Sequence, residues 1–375
     1  MQTFFTHVSV LLRISWQASI LIVLVLAAQW CCGNRLPPRW RYALWMLVLL
    51  RLALPWSFPS PVSLFNVVKV PAAAQPMEAG PVSDTRVDAP VPESDGPAGA
   101  AAIARPAGRH WLVWLWVAGA LALGAGAALN HYRIHRRVAR RRPLLDEPTL
   151  NLLEDCKALM GVCIPVTLIE TDAVESPTLF GFVRPRLLLP AGLASSFTRA
   201  ELRHVFLHEL AHIKRNDILA GWVMLGLQMV HWFNPLVWLA FHRLRADREL
   251  ACDALALSYA GPGENESYGL TVVKLLERFG QSLWAPSLAG ILENKQQTRE
   301  RISMIAKFRK TDRGLALAVT LFAGLAVVTL TDAQGTGGAA TPQGQGSVLQ
   351  LAKSGSGAAT AGEDGWDLQK KLELA

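Results

Sequence analysis

The stretch TRAELRHVFLHELAHIKRND, from Thr198 to Asp217, decides how the rest of the chain must fold. It contains H-E-x-x-H at His208, Glu209 and His212. A helix puts residues four apart on one face, so both imidazoles can bind the same metal ion. Glu209 then projects beside that ion, where it can take a proton from a water molecule. On the motif alone, the alternative is two ordinary histidines on a helix face.

A helix over this stretch is also predicted by its ends. Thr198 followed by Glu201 is typical of a capping box, and no helix-breaking residue lies between Ala200 and Lys214. The motif is therefore expected on a regular helix.

A hydrolytic zinc site needs a further protein ligand and leaves one position for water. The stretch ADRELACD supplies Glu249, with Asp253 one helical turn later. We predict that His208, His212 and Glu249 bind Zn²⁺, and that Asp253 accepts the second ring N–H of a ligating histidine. Asp217 is a further candidate to hold an imidazole. Taken alone, the Glu-x-x-x-Asp pair would be typical of a solvated helix face.

Composition predicts a membrane protein. The chain is 51% hydrophobic and has 13 Trp, which is more apolar than an ordinary soluble domain. Its net charge of +8 is concentrated beside apolar segments, which argues against direct nucleic-acid binding. The five cysteines show no disulfide or metal spacing and fit reduced thiols facing a cytosol. Cys252, between the two acidic candidates, is a buried thiol or, alternatively, has a redox role.

Four apolar runs are predicted to be transmembrane helices, since about 20 residues cross a bilayer. They cover residues 8–32, 40–56, 110–130 and 314–330. The first could be a signal peptide, but no positive charge precedes it and no good cleavage site follows. Arg51 in the second must snorkel, pair or face the bundle interior.

Charge predicts the orientation of these spans. The loop between the first two is basic, and six arginines follow the third, between Arg133 and Arg142. Nucleic-acid binding is the alternative for that run, but its position beside a span favours a positive-inside anchor. The N-terminus is therefore expected outside, and residues 131–312 form a cytoplasmic catalytic domain. Residues 57–109 are expected to be a flexible external loop, and 331–375 a disordered external tail.

Within the catalytic domain, a helix is predicted near 149–160 and a strand over 164–170. SPTLFGFVRPRLLLP, residues 176–190, predicts a strand pair or a bent strand, with Gly181 at the bend. Its edge could bind an extended peptide substrate through Thr178, Gly181, Arg184 and Leu187. A plain structural hairpin is the alternative.

Residues 218–241 are apolar enough to cross the membrane once, but a crossing would separate Glu249 from the histidines. We therefore predict a helical hairpin that turns near Asn234 and Pro235, either in the domain core or dipping into the near leaflet. His231 either caps this turn or is a further catalytic donor. Amphipathic helices are predicted at 267–279 and 299–309.

Several of these motifs occur together, in one order, in a known family. The three spans, SPTLFGFVRPRLLLP, HELAHIKRND, HWFNPLVW, ELACD and the late RERISMI before a fourth span resemble the BlaR/MecR group of bacterial membrane metallopeptidases. The likeness covers about residues 8–330. It implies a mainly α fold with a small β element: a gluzincin-like α+β cytoplasmic metalloprotease domain between the third and fourth of four spans. It also implies the same metal ligands, and Glu209 in catalysis.

The resemblance further implies a zinc endopeptidase of the bacterial inner membrane that acts in signal-triggered regulatory proteolysis. Self-cleavage within 285–313 and loss of a DNA-binding repressor are expected, and the partners are this protein substrate and the bilayer. No Ser-x-x-Lys motif follows the last span, so β-lactam sensing through an external penicillin-binding domain is not expected. The alternatives are a constitutive quality-control protease and a non-catalytic scaffold with structural zinc. Whether the chain forms a homodimer stays open.

Overall fold

The fold is mainly helical with a small sheet, as predicted. The computed structural model of the chain describes residues 2–54, 58–59, 110–279, 290–309 and 315–332. The helices in chain order are α1 (Gln2–Cys32), α2 (Pro38–Ala53), α3 (His110–Ala139), α4 (Glu147–Met160), α5 (Leu193–Ser196), α6 (Arg199–Lys214), α7 (Asp217–Val230), α8 (Pro235–Tyr259), α9 (Asn265–Phe279), α10 (Gly290–Lys307) and α11 (Leu315–Leu330). The strands are β1 (Phe58–Pro59), β2 (Thr167–Thr171), β3 (Thr178–Phe180), β4 (Arg186–Pro190) and β5 (Thr331–Asp332).

Two predicted segments fall largely outside the described residues. The predicted loop 57–109 contributes only β1, and the predicted tail 331–375 contributes only β5. These two short strands pair in parallel, so the residues that follow α2 lie beside the residues that follow α11.

The helix that carries H-E-x-x-H begins as its sequence predicts. The Thr198 hydroxyl accepts from the Glu201 amide at 3.3 Å, and the Glu201 carboxylate accepts from the Thr198 amide at 2.8 Å. This capping box satisfies amides that the first turn leaves without helical partners. It fixes where α6 starts and therefore which residues face the centre of the domain.

The predicted strand pair is an antiparallel hairpin. β3 and β4 pair antiparallel, and β2 pairs parallel with β4, so the order is β2-β4-β3. Gly181 follows β3 with a φ of 96°, which glycine adopts without strain, and a Cβ there would lie 3.0 Å from the Arg184 carbonyl oxygen. Within the described residues β3 is an edge strand.

Residues 217–259 form the predicted hairpin, with the turn at His231–Asn234. We call α1, α2, α3, α7, α11 and the first half of α8 the apolar bundle, because these helices pack side by side. Residues 218–241 lie in this bundle and not in the core around α6. α8 belongs to both cores. Its first half packs in the bundle through Val237, Phe241 and Leu244. Its second half packs in the hydrophobic core around α6 through Ala256 and Leu257.

Contacts between the hairpin and α1 extend along much of α1. The Asn234 side-chain amide donates to the hydroxyls of Ser15 and Ser19, at 2.8 Å each. Near the other end of α1, Gln29 donates to Asp247 of α8 at 3.0 Å. At 1.5 Å per residue, α8 therefore runs beside α1 for about 20 Å.

Two polar residues of the bundle lie within its interior. Arg51 is 3% exposed and contacts Gln17 of α1, so it faces the bundle interior, one of the three predicted outcomes. His231 is 1% exposed and hydrogen-bonds to the Leu52 backbone, at the end of α2. It belongs to the turn and not to the catalytic centre.

Within the part of the chain that the structure describes, two helices are long and apolar enough to cross a membrane. They are Val10–Cys32, which is 44% buried and near the N-terminus, and Trp111–Ala139. The apolar stretches of α7 and α11 are shorter. α3 exposes large apolar side chains to its surroundings, including Trp111, Trp114 and Leu121. Such continuous apolar surface is unusual for a soluble protein.

Candidate metal centre

Two helices bring the predicted ligands together. His208 and His212 lie one turn apart on α6, with ring centroids 5.0 Å apart. The Glu249 Oε2 atom of α8 lies 3.5 Å from His208 Nε2 and 3.9 Å from His212 Nε2. One donor atom from each residue lies within 4.8 Å of the others.

This geometry fits a tetrahedral metal ion. Zinc–nitrogen and zinc–oxygen bonds of about 2.0–2.2 Å place tetrahedral ligand atoms about 3.3 Å apart. The two separations between the carboxylate and the imidazoles, 3.5 and 3.9 Å, are a few tenths of an ångström longer, so small side-chain rotations would bring these atoms to ligand spacing. Two neutral imidazoles with one carboxylate are also a donor set that zinc favours.

Carboxylates behind the two imidazoles fix their orientation. His208 Nδ1 lies 3.0 Å from Asp253 Oδ1, and His212 Nδ1 lies 2.9 Å from Asp217 Oδ2. Each Nδ1 therefore donates to a carboxylate, and each Nε2 faces the centre, where it could bind a metal ion once it is deprotonated. Burial opposes a charged imidazole, but hydrogen bonds to Asp253 and Glu249 raise the pKa of His208 to about 10. This surrounding negative charge favours a cation at the centre.

Asp253 is the most enclosed of these carboxylates. It is fully buried and accepts two hydrogen bonds from the Arg301 guanidinium, at 2.8 and 2.9 Å, and one from the Tyr268 hydroxyl at 3.0 Å. Burial alone would raise the pKa of Asp253, but Arg301 and His208 hold it well below its usual range. The carboxylate therefore stays charged behind His208.

Tyr268 and Arg301 received no role from the sequence. Tyr268 lies on α9 and Arg301 on α10, and both segments were predicted only as amphipathic helices; Arg301 also lies in RERISMI, which contributed to the resemblance. A basic residue such as Arg301 can be expected to pair with a buried carboxylate. The sequence alone does not show which carboxylate that is. The structure places both residues against the metal centre.

Asp217 is enclosed on the other side. Besides His212, it accepts from the Tyr42 hydroxyl at 3.1 Å and from the Cys252 thiol at 3.1 Å, and the Arg215 guanidinium lies 3.5 Å away. Burial opposes its charge, but hydrogen bonds from His212 and Cys252 lower the pKa of Asp217. Burial raises the pKa of Cys252 well above its usual value, so this residue is a protonated thiol that supports the site.

Glu209 lies at the same cavity as the predicted metal ligands. It is 7% exposed and next to His208 in sequence. Burial raises the pKa of Glu209, which makes this carboxylate a stronger proton acceptor than one in water.

A cavity of about 470 Å³ opens at the centre and is bounded by the edge strand on one side. Thr178 of β3 lines this cavity, and its binding of a substrate stays a prediction. Gly181 and Arg184 lie in the turn beyond it, and Leu187 is fully buried in the central strand β4. The peptide-binding prediction is therefore restricted to β3, because the side chain of Leu187 belongs to the core. Apolar residues of α9, including Val272 and Leu276, line another wall.

A known family matches most of the chain. The model of the family described as BlaR1 peptidase M56 matches residues 9–305, from α1 to near the end of α10. The chain belongs to this peptidase family. The matched range includes every residue of the metal centre described above.

Named relatives are similar to part of the chain. The regulatory protein BlaR1 of Bacillus licheniformis is 29% identical over 160 residues, which is 43% of this chain and 26% of that protein. The methicillin resistance mecR1 protein of Staphylococcus aureus is 24% identical over 143 residues, 38% of this chain and 24% of that protein. The BlaR1 of Staphylococcus aureus is 22% identical over 164 residues, 42% of this chain and 28% of that protein. The matched stretch thus spans about a quarter of these relatives' own length.

Proposed function

We propose that this chain is a membrane-embedded zinc endopeptidase that hydrolyses peptide bonds on the cytoplasmic side in signal-triggered regulatory proteolysis. The observation that supports this most directly is the convergence of His208 Nε2, His212 Nε2 and Glu249 Oε2, with a carboxylate behind each imidazole. Membership of a peptidase family gives the reaction class.

The chain's own residues supply the remaining chemistry. Zinc, when bound, would polarise the scissile carbonyl and lower the pKa of a water molecule towards 7. Glu209 would accept the proton of that water and deliver it to the leaving amine. An extended substrate would add to the edge of β3 through main-chain hydrogen bonds, with Thr178 at the cavity. Specificity would then depend strongly on an extended backbone.

The arrangement of the apolar helices supports the proposed four-span topology. Trp116, near the start of α3, donates to the Val230 carbonyl at the turn of the hairpin, and Asn234 of that turn contacts the first half of α1. The paired strands β1 and β5 place the ends of α2 and α11 together. α1 and α3 therefore run towards the metal centre, whereas α2 and α11 run away from it. This alternation is what an external N-terminus and an internal centre require.

The regulatory part of the proposal rests on the relatives, two of which are named regulatory proteins. A DNA-binding repressor is the proposed protein substrate, and the chain itself is a second one, cleaved within 285–313. Residues 285–289 and 310–313 of that segment lie outside the described residues.

Glu209→Gln tests the activity, because it removes the proposed base and leaves the zinc ligands in place. The full-length protein should retain zinc but lose peptide hydrolysis, and its own cleavage fragments should disappear. Glu277→Gln is the matched control, since Glu277 is exposed on α9 and should behave as wild type. An unchanged fragment pattern in Glu209→Gln would rule out self-cleavage by this centre.

The same variant separates the alternatives. Comparing the proteomes of cells that carry wild type or Glu209→Gln would show which proteins persist without the base. Accumulation of one repressor supports regulatory proteolysis, whereas accumulation of many damaged membrane proteins supports quality control. Identical proteomes, together with no peptide hydrolysis by the wild-type protein, would leave the non-catalytic scaffold with structural zinc.

A further inference from the structure

The start of α2 lies against the metal centre although it is far from it in sequence. Tyr42 is 8% exposed and Trp45, one turn later, is fully buried. α2 packs on both α7 and α8, the two helices that follow H-E-x-x-H. A helix of the apolar bundle is therefore in direct contact with the elements that carry the proposed site.

Tyr42 contacts the carboxylate that orients His212. Its hydroxyl donates to Asp217 Oδ1 at 3.1 Å, while Asp217 Oδ2 faces His212 Nδ1 at 2.9 Å. Each carboxylate oxygen thus has a different partner, and rotation of the carboxylate would break both contacts. The Tyr42 ring also stacks under the Arg215 guanidinium, 4.4 Å from the ring centroid.

A second set of contacts joins α1 and α2 to α8, the helix that carries Glu249. Asp247, two residues before Glu249, is 2% exposed. It accepts from Trp45 Nε1 at 2.8 Å and from Gln29 at 3.0 Å, and it pairs with Arg41 at 2.9 Å. α1 and α2 therefore hold α8 at the level of its metal-ligand candidate.

We infer that Tyr42 is a positioning residue of the metal centre, which acts through Asp217 to fix the orientation of His212. The inference rests on the proposed function. Loss of a partner behind a ligating histidine costs about 10–100-fold in metal affinity or activity. Tyr42 acts on that partner and not on the histidine, so the low end, about 10-fold, is expected. Displacement of α2 would change the centre by the same route.

Tyr42→Phe in the full-length protein tests this inference, because phenylalanine keeps the ring under Arg215 and removes only the hydroxyl. Zinc affinity is measured by competition with a chelator, the ligand field from the absorption spectrum of the Co²⁺-loaded protein, and kcat and KM from peptide hydrolysis. We expect about 10-fold weaker zinc binding, an altered Co²⁺ spectrum, and a lower kcat with little change in KM.

Two controls isolate the hydroxyl. Tyr259→Phe removes a hydroxyl that accepts from Lys214 at 2.7 Å, at the end of α6 and away from Asp217. Trp40→Phe changes another aromatic residue near the start of α2, which contacts Phe322 of α11, and leaves the Tyr42–Asp217 contact in place. Both should keep wild-type zinc affinity and a wild-type Co²⁺ spectrum.

The outcomes are separable. Wild-type zinc affinity and an unchanged Co²⁺ spectrum in Tyr42→Phe would overturn the inference while the proposed function stands. Equal losses in Tyr42→Phe and Trp40→Phe would also overturn it, since general packing of α2 would then be responsible. A wild-type protein that binds no zinc and hydrolyses no peptide would instead remove the proposed function.

Discussion

Asp253→Asn is the perturbation whose size the structure defines best. The carboxylate has no exposed surface and is bonded to Arg301, Tyr268 and His208 at 2.8–3.0 Å. Asparagine keeps the shape but removes the charge. The guanidinium and the imidazole therefore both lose their anionic partner, and one of the two acceptor oxygens is replaced by an NH2 donor that faces other donors.

Two separate losses follow. Breaking a buried ion pair by changing one partner costs about 3–5 kcal/mol, and the lower value is appropriate because the Arg301 side chain keeps 18% exposure. For a domain of roughly 150–250 residues, about 3 kcal/mol lowers Tm by about 6–12 °C. Zinc affinity should fall by about 10–100-fold, which is about 1.4–2.8 kcal/mol.

Thermal unfolding in detergent, with and without zinc, measures the first loss, and chelator competition measures the second. Asp172→Asn is the matched control, because Asp172 also pairs with an arginine, Arg141, but 71% of its side chain is exposed. Exposed pairs contribute about 0–1 kcal/mol. If Asp253→Asn were no more damaging than Asp172→Asn in both assays, the buried carboxylate would neither stabilise the fold nor orient His208.

Three further predictions concern the fold and topology. Asn234→Ala removes a helix cap and two buried hydrogen bonds, so it should lower the free energy of unfolding by about 2–4 kcal/mol, measured by denaturation in detergent; no loss would mean that the turn is not buried. Gly181→Ala places a side chain at a φ of 96°, and we expect a lower Tm and a higher KM for extended peptides, whereas wild-type values would contradict the hairpin geometry. A cysteine in place of Leu145, which is 84% exposed beside α4, should react with a membrane-impermeant reagent only after the cells are opened, and labelling of intact cells would refute the proposed orientation.

The sequence predicted those features that depend on local spacing. The capping box at Thr198, the bend at Gly181 and the turn at Asn234 each follow from a residue type that suits one backbone geometry, and the structure shows all three. The requirement that Glu249 reach the histidines also predicted the helical hairpin.

Features that depend on contacts between distant segments could not be predicted from the sequence. Tyr42 and Arg301 lie about 175 and 48 residues from the carboxylates they contact, and their own surroundings carry no signal of that pairing. The peptide-binding prediction was too broad for a related reason, since alternation along 176–190 does not show which strand lies at the edge. The choice between the bundle and the domain core for residues 218–241 likewise needed the packing of α8.

The position of α8 across two cores has a practical consequence. If residues 131–312 were expressed alone, Phe241 and Leu244 would lose the helices that cover them, and Asp247 would lose its three partners. Such a fragment would expose an apolar surface immediately before Glu249 and would tend to aggregate. Purification of the peptidase for assays in solution should therefore retain the apolar helices α1 and α2.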